Sequence, residues 1–339
     1  MSSYQELDMS GEAPFDSGAE DHPYVSDSEQ EEPKTVPEYD PGKQELVSYQ
    51  DLWPGKNTFL CGGRCMLGHD PKLLPVTFFS ILLTAVYFVV SVLPQLKVQL
   101  NVGSGTTGID ILFVGLLTVV FASLYSAAFT EPGILVASKF SQTVPKYVPR
   151  FDENALNARR TYCPRCNIDR PQRARHCRHC DHCVDQFDHH CTWIGNDVGL
   201  RNYRSFLWFV GSLTLLVVWV GGGCALVIVL ECKKFQSAVE GDGWKLLLDL
   251  LAPGLVCLLC VCAFFLVGFL AIYHFFYLMC YGETTNEHLK GTYRRLNLRN
   301  PYNRGWLCNC IYICCVRQPP SMIPRDFREK ILIDKDDMV

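Results

Sequence analysis

The chain has 339 residues, of which 48% are hydrophobic and 19% charged, with a net charge of -4. The charged share falls below the roughly 25% of an ordinary soluble domain, yet mean hydropathy is only +0.08, so very apolar and very polar segments must alternate. A compact soluble globule is excluded on that ground, and a uniformly basic nucleic-acid binder on charge, so no nucleic-acid partner is expected.

Residues 1–43 hold twelve acids against two lysines, leaving the rest of the chain net basic. Low hydrophobicity and acidity predict a disordered acidic tail over residues 1–50. Its opening is expected to carry neither a secretory signal, lacking the basic-then-apolar order, nor a myristoyl group, since residue 2 is Ser. A pre-membrane segment, 51–72, follows.

Four segments are long and apolar enough to cross a bilayer at about 1.5 Å per residue: 73–93, 109–129, 206–230 and 253–281. They lack the polar stripe of a helix on a soluble surface. The loop 94–108 has one basic residue, Lys97, whereas 130–205 is rich in Lys and Arg, and Arg294, Arg295 and Arg299 follow the last span. The positive-inside rule therefore puts both termini and the central segment in the cytosol. The fold class is an all-α polytopic membrane protein with one cytosolic, zinc-binding, cysteine-rich domain, about 161–206, between the second and third spans. A C-terminal cytosolic region covers 282–339.

Six cysteines and five histidines lie between Cys163 and Asp197. Cys163-x2-Cys166 and Cys177-x2-Cys180-x2-Cys183 have metal-knuckle spacing, and the number of donors exceeds one tetrahedral site and suits two zinc ions. Disulfides are a poor reading in a reducing compartment. With few large apolar residues nearby, zinc is expected to supply much of the folding energy. Two zincs take eight ligands, so some of these side chains do something else. In Asp188-His189-His190-Cys191 a thiol stands beside an imidazole and a carboxylate, which are the parts of an activated cysteine nucleophile. From spacing alone, Cys191 is equally well another zinc ligand.

The run Cys163-x2-Cys166, Arg170-Pro171-x-Arg173, His176-Cys177-x2-Cys180-x2-Cys183, Asp188-His189-His190-Cys191-x-Trp193-Ile194-x-Asn196, with Gly199, Asn202 and Phe206, resembles the cysteine-rich domain of the DHHC protein S-acyltransferases. Glu131-Pro132-Gly133 is similar to that family's Asp-Pro-Gly motif, with Glu for Asp. Thr284-Thr285-Asn286-Glu287 matches its Thr-Thr-x-Glu motif, and the same four residues read as a helix capping box. Residues 300–305 with Asn309, and 53–57 before the first span, resemble the Ras-directed subgroup that works with a small accessory subunit.

The resemblance implies ping-pong transfer of a long-chain acyl group, palmitoyl above all, from acyl-CoA through Cys191 to cysteines of cytosolic or membrane-associated proteins, small GTPases among them. It makes His189 the general base and Asp188 its orienting partner, with Thr285 on Asp188. It assigns one structural zinc to Cys163, Cys166, His176 and Cys183. The other goes to Cys177, Cys180, His190 and position 197, where the family has Cys and this chain has Asp197. His179 or His182 is the alternative fourth ligand. Trp193 and Phe206 are expected near the acyl chain. Arg170 and Arg173 are expected at the CoA phosphates, with anionic headgroups as the other partner for the nearby arginines.

Cys308, Cys310, Cys314 and Cys315 could bind a metal, but their apolar flanks favour acylation of the tail. No address signal is present; Golgi or endoplasmic reticulum is expected before plasma membrane. The competing readings are a membrane-anchored RING-type ligase, which has no spare Cys beside a His, and a transporter, for which the spans offer almost no intramembrane charge.

Overall fold

The computed structural model describes residues 45–48, 53, 55–61, 65–101, 103, 108–135, 161–237, 243–295, 297, 299–323 and 330–333. The acidic tail expected over 1–50 lies outside them except for its last residues. There Glu45–Ser48 forms a strand, antiparallel to Lys330–Ile333. Both runs carry adjacent apolar residues of good strand propensity.

Four helices are long and apolar enough to span a membrane: Leu73–Gln99, Gly108–Phe129, Tyr203–Gln236 and Gly243–Tyr281. Three outrun the apolar stretches read from the sequence, and much of the interval between the third and fourth stretches is helix. The first continues through Pro94, which has no N–H to donate, and a π-helical segment at Phe88–Val92 accommodates the interruption. The fourth starts ten residues before Pro253 and is about 58 Å long at 1.5 Å per residue, well beyond a hydrocarbon core of about 30 Å.

The third span is the middle of the bundle. Its Phe206, Leu216, Val220 and Val227 are buried in one core with Phe88, Phe113, Val120 and Leu124. Close approach is made by small residues: a Cβ on Gly221 would come 2.9 Å from Cys260 Cβ, and one on Gly223 would meet the Phe88 ring at 2.6 Å. The outward faces expose Leu83, Val90, Ile111, Leu215 and Phe265, as lipid-facing helices must.

At one end of the bundle Lys97 pairs with Asp110 at 2.7 Å and Gln99 donates to Glu231 at 2.7 Å. At the other end the last helical carbonyls are taken by asparagines from elsewhere in the chain. Asn196 donates to Ala128 O (2.8 Å) and Asn202 to Ala127 O (3.0 Å), closing the second span. Asn309, buried on the short helix Trp306–Cys315, donates to Met279 O at 2.9 Å, closing the fourth. These caps fasten the cysteine-rich segment and the C-terminal helix to the bundle.

Candidate active site and metal centres

The cysteine-rich segment folds as three hairpins of one design. In each, a cysteine pairs with the residue five positions on: Cys163 with Ile168, Cys177 with His182, Cys191 with Asn196. Each turn is closed by a residue of positive φ, namely Asn167 (53°), Asp181 (57°) and Gly195 (64°). In the first two, the third position after the cysteine is a second cysteine, Cys166 or Cys180. In the third it is Ile194, fully buried. Cys191 thus occupies the first thiol of a knuckle that has no second thiol.

Two groups of donors converge. Cys163, Cys166, His176 and Cys183 offer one ligand atom each within 4.8 Å of one another, and so do Cys177, Cys180, His190 and Asp197. Zn–S and Zn–N bonds of about 2.3 and 2.0–2.1 Å set tetrahedral edges of roughly 3.4–3.8 Å. In the first group Cys166 and Cys183 sulfurs are 3.6 Å apart, and His176 Nδ1 is 3.4, 3.7 and 3.8 Å from Cys166, Cys163 and Cys183. That set fits zinc.

In the second group His190 Nδ1 lies 3.6 Å from Cys180 and 4.0 Å from Cys177. The Asp197 carboxylate is drawn in to 2.7 Å from His190 and 3.0 Å from Cys177. The donors suit zinc, though harder than three thiolates and an imidazole. Neither alternative histidine is in the group. His182 Nε2 stands behind Asp197, 3.1 Å from its Oδ2, and His179 stacks on the His190 ring at 4.6 Å. Burial alone would raise the Asp197 carboxyl; His182 and His190 outweigh it and hold Asp197 below the usual carboxylate range. The pre-membrane segment braces this group. Lys56 N donates to Cys180 O at 2.9 Å, and a Cβ on Gly68 would meet Gly195 O at 2.9 Å.

Asp188, His189 and Cys191 form a chain across the third hairpin. His189 Nδ1 bonds Asp188 Oδ2 at 2.8 Å, and the Cys191 sulfur acts electrostatically on the same imidazole. Burial disfavours the imidazolium, but Asp188 and the Cys191 sulfur outweigh it and push His189 up to about 10. Desolvation would raise the half-buried Cys191 thiol, but His189 and the backbone N–H groups of Ile194 and Trp193 pull it down. Asp188 is 2% exposed, and burial would raise it; His189 and the Thr285 N–H keep it low. The pairing thus favours the thiolate of Cys191 and the imidazolium of His189 over the neutral pair.

Thr284 caps the short helix Thr285–Leu289 in a complete capping box with Glu287. Thr285, the next residue, bonds both Asp188 oxygens, from N–H and from hydroxyl, at 2.7 Å each. Glu287 is held by Arg173 through two parallel bonds, Nε to Oε1 at 2.9 Å and Nη2 to Oε2 at 2.6 Å. Arg173, which the sequence placed at the CoA phosphates, is engaged with Glu287 in this structure. Its guanidinium is buried on Glu287 and the Gly282 carbonyl, and stacks over Tyr302 at 4.6 Å.

Arg170 lies with Arg175, Arg178 and Lys290 in one cationic cluster. Burial and these neighbouring arginines depress Lys290. Lys290 comes from beyond the fourth span, and nothing in its local sequence pointed to it. Trp193 is 56% exposed on the turn after Cys191, with its carbonyl 2.9 Å from the Thr77 hydroxyl of the first span. Phe206 is buried, edge-on to His189 at 5.1 Å. Cys308, Cys314 and Cys315 are exposed, while Cys310 packs against Met279. Sequence reasoning assigned no partner to Glu131, whose carboxylate takes the Gly133 N–H (2.5 Å), the Ser321 hydroxyl (2.8 Å) and Arg201.

The sequence model of the DHHC palmitoyltransferases matches residues 156–292. The chain is 33% identical over 319 residues to palmitoyltransferase ZDHHC18-B of Danio rerio, covering 86% of this chain and 78% of that protein. It is 32% identical over 296 residues to palmitoyltransferase ZDHHC9 of Homo sapiens, covering 80% and 77%. Protein S-acyltransferase 8 of Arabidopsis thaliana is 31% identical over 292 residues, covering 80% and 70%.

Proposed function

The chain belongs to the DHHC palmitoyltransferase family and is a protein S-acyltransferase, and from that premise we propose a ping-pong transfer of palmitoyl from acyl-CoA through Cys191 to cysteines of membrane-associated proteins. The observation that carries it is the hydrogen-bonded row Thr285–Asp188–His189 on the hairpin of Cys191, the one knuckle cysteine without a second thiol, whose thiol is pulled down by that imidazole.

In the first step the Cys191 thiolate attacks the thioester carbonyl. The carbon–sulfur bond to CoA breaks, and the departing CoA thiolate takes the His189 proton. In the second step neutral His189 takes the proton of the acceptor thiol. The acceptor sulfur attacks the acyl-Cys191 carbonyl, and the Cys191 thiolate leaves. Asp188 holds the ring's Nδ1–H so that Nε2 serves both thiols. Cys163, Cys166, His176 and Cys183, and Cys177, Cys180, His190 and Asp197, would each hold a structural zinc whose closed shell supplies folding energy and no open position.

Arg170, Arg175, Arg178 and Lys290 would meet the CoA phosphates, with the acyl chain among the spans near Trp193. The basic central segment favours a cytosolic site, with both termini on that side, in Golgi or endoplasmic reticulum membranes. A small accessory subunit and small GTPase acceptors follow from the resemblance of 53–57 and 300–309. Exposed Cys308, Cys314 and Cys315 would themselves carry acyl chains that hold the tail to the bilayer.

With acyl-CoA and no acceptor, the purified protein should release a burst of about one CoA per chain, the signature of a covalent intermediate. A steady linear release with no burst would sink the two-step scheme.

A further inference from the structure

Between Leu250 and Tyr281 the fourth span holds a single ionisable side chain of the Asp, Glu, Lys, Arg or His type, His274. Such a group is costly in hydrocarbon and persists where something uses it. His274 is 1% exposed and lies in the π-helical segment Tyr273–Leu278. Its Nδ1 shares a hydrogen bond of 3.0 Å with Tyr203 Oη, at the first residue of the third span. Its ring meets Phe206 edge-on, centroids 5.2 Å apart at 72°. Phe206 meets His189 in the same way, at 5.1 Å and 71°, so that the three rings form a triangle. The two histidine rings are 6.2 Å apart with the Phe206 ring against both. No step of the acyl transfer uses His274.

We propose that Tyr203 and His274 form a positioning pair for the transfer reaction, fixing the plane of the His189 ring through Phe206. The inference rests on reading His189 as the base. One hydrogen bond, from Nδ1 to Asp188, leaves an imidazole free to swing about the line of that bond. A second contact off that line is needed to keep Nε2 aimed at Cys191. Phe206 supplies it, and an edge-to-face pair adds orientation at a modest energy. Phe206 holds its own place only if the neighbour that completes the triangle is itself anchored. His274 is anchored because its ring nitrogen is tied to Tyr203, and leaving either polar atom unpaired in an apolar interior is unfavourable. The same bond joins the third and fourth spans at the level of the nucleophile. Small displacements at such a site cost rate steeply, up to about 100-fold for about 1 Å.

The test is the rate of acyl-Cys191 formation from palmitoyl-CoA, with the full-length zinc-loaded protein in detergent, over a range of donor concentrations. Tyr203→Phe, which removes the hydrogen bond and little else, and His274→Ala should each lower the maximal rate about tenfold, leaving the half-saturating donor concentration unchanged. His274→Gln, which can still bond Tyr203, should recover most of the loss. In a His189→Ala background His274→Ala should have no further effect, because it acts through that ring. If His274→Ala fails to fold, Tyr203→Phe alone and combined with His189→Ala gives the same comparison. Wild-type rates for Tyr203→Phe would overturn the proposal. So would a full additional loss in the His189→Ala background, which would make the pair a helix tie only. Failure of the underlying reading is distinguishable, since His189→Ala by itself would then keep the wild-type rate in the same assay.

Discussion

Thr285 holds both oxygens of Asp188, its N–H on Oδ1 and its hydroxyl on Oδ2, each at 2.7 Å. Ninety-seven residues and two membrane spans separate the pair in the sequence. The carboxylate that orients His189 is therefore itself oriented by a residue from beyond the fourth span. Thr285→Val keeps the N–H bond and removes the other. A hydrogen bond to a charged group is worth about 1.5–3 kcal/mol, so we expect acyl-Cys191 formation to slow about tenfold with metal content unchanged. Single-turnover labelling with acyl-CoA measures it.

Arg173 and Glu287 are an ion pair with side chains 12% and 4% exposed. Removing one partner of such a pair costs about 3–5 kcal/mol. Glu287→Gln should thus lower the thermal midpoint of the detergent-purified protein and loosen the Thr285 contact. The sign with pH follows from Glu287, whose carboxyl burial would raise but Arg173 pulls below its ordinary 4.5. Its stabilisation is present above the unfolded value and is lost as pH falls through the lower, folded one. The gap between wild type and Glu287→Gln should hold from neutral pH to about 4.5 and close below it.

Much of the site is legible in the sequence because knuckle spacing is local. Cys-x2-Cys with a left-handed residue next in line dictates its own hairpin, and the capping box at Thr284 is readable from four residues. The spans are legible as apolar runs, though their ends are not: helix continues into polar residues once neighbouring helices pack against it. What local sequence could not supply is long-range pairing. Arg173 looked like a phosphate contact because its partner Glu287 lies 114 residues away. Lys290, Tyr203 and the Glu131–Arg201 pair stayed silent for the same reason. His274 gave one signal, an ionisable residue in a hydrocarbon-length apolar run.

Asp197 sits where the family has cysteine. Asp197→Ala should leave one zinc of about two per chain and lose activity, because His190 is adjacent to Cys191. Asp197→Cys should keep both and release the second more slowly to a chelator, three thiolates and an imidazole being the softer set. Metal analysis and chelator kinetics read both outcomes. Two zincs with full acyl transfer in Asp197→Ala would remove Asp197 from the ligand set.

His189 pushes the Cys191 thiol below its ordinary range. In His189→Ala the thiol loses that support, so the thiolate fraction at neutral pH falls. Acyl-Cys191 formation should slow and recover partly as pH rises, since thiols then ionise unaided. The wild type should be flat over the same interval. A parallel pH profile in both proteins would mean that His189 does not set the thiolate.

Cys308, Cys314 and Cys315 are exposed on the short helix that Asn309 fastens to the fourth span. Mass spectrometry of protein taken from cells should find thioester-linked acyl chains on at least one of them. Free thiols at all of them would mean that protein contacts, those of Asn309, Arg204 and Ser321 among them, hold the tail without acyl chains.

The central claim is that Cys191 carries the acyl group and holds no metal. Incubating wild type and Cys191→Ser with palmitoyl-CoA, then measuring intact mass and zinc together, tests it most directly. We expect one hydroxylamine-sensitive acyl adduct on the wild type and none on Cys191→Ser, with about two zincs bound to each. A Cys191→Ser protein that lost zinc, or one that still gained the adduct, would contradict the account.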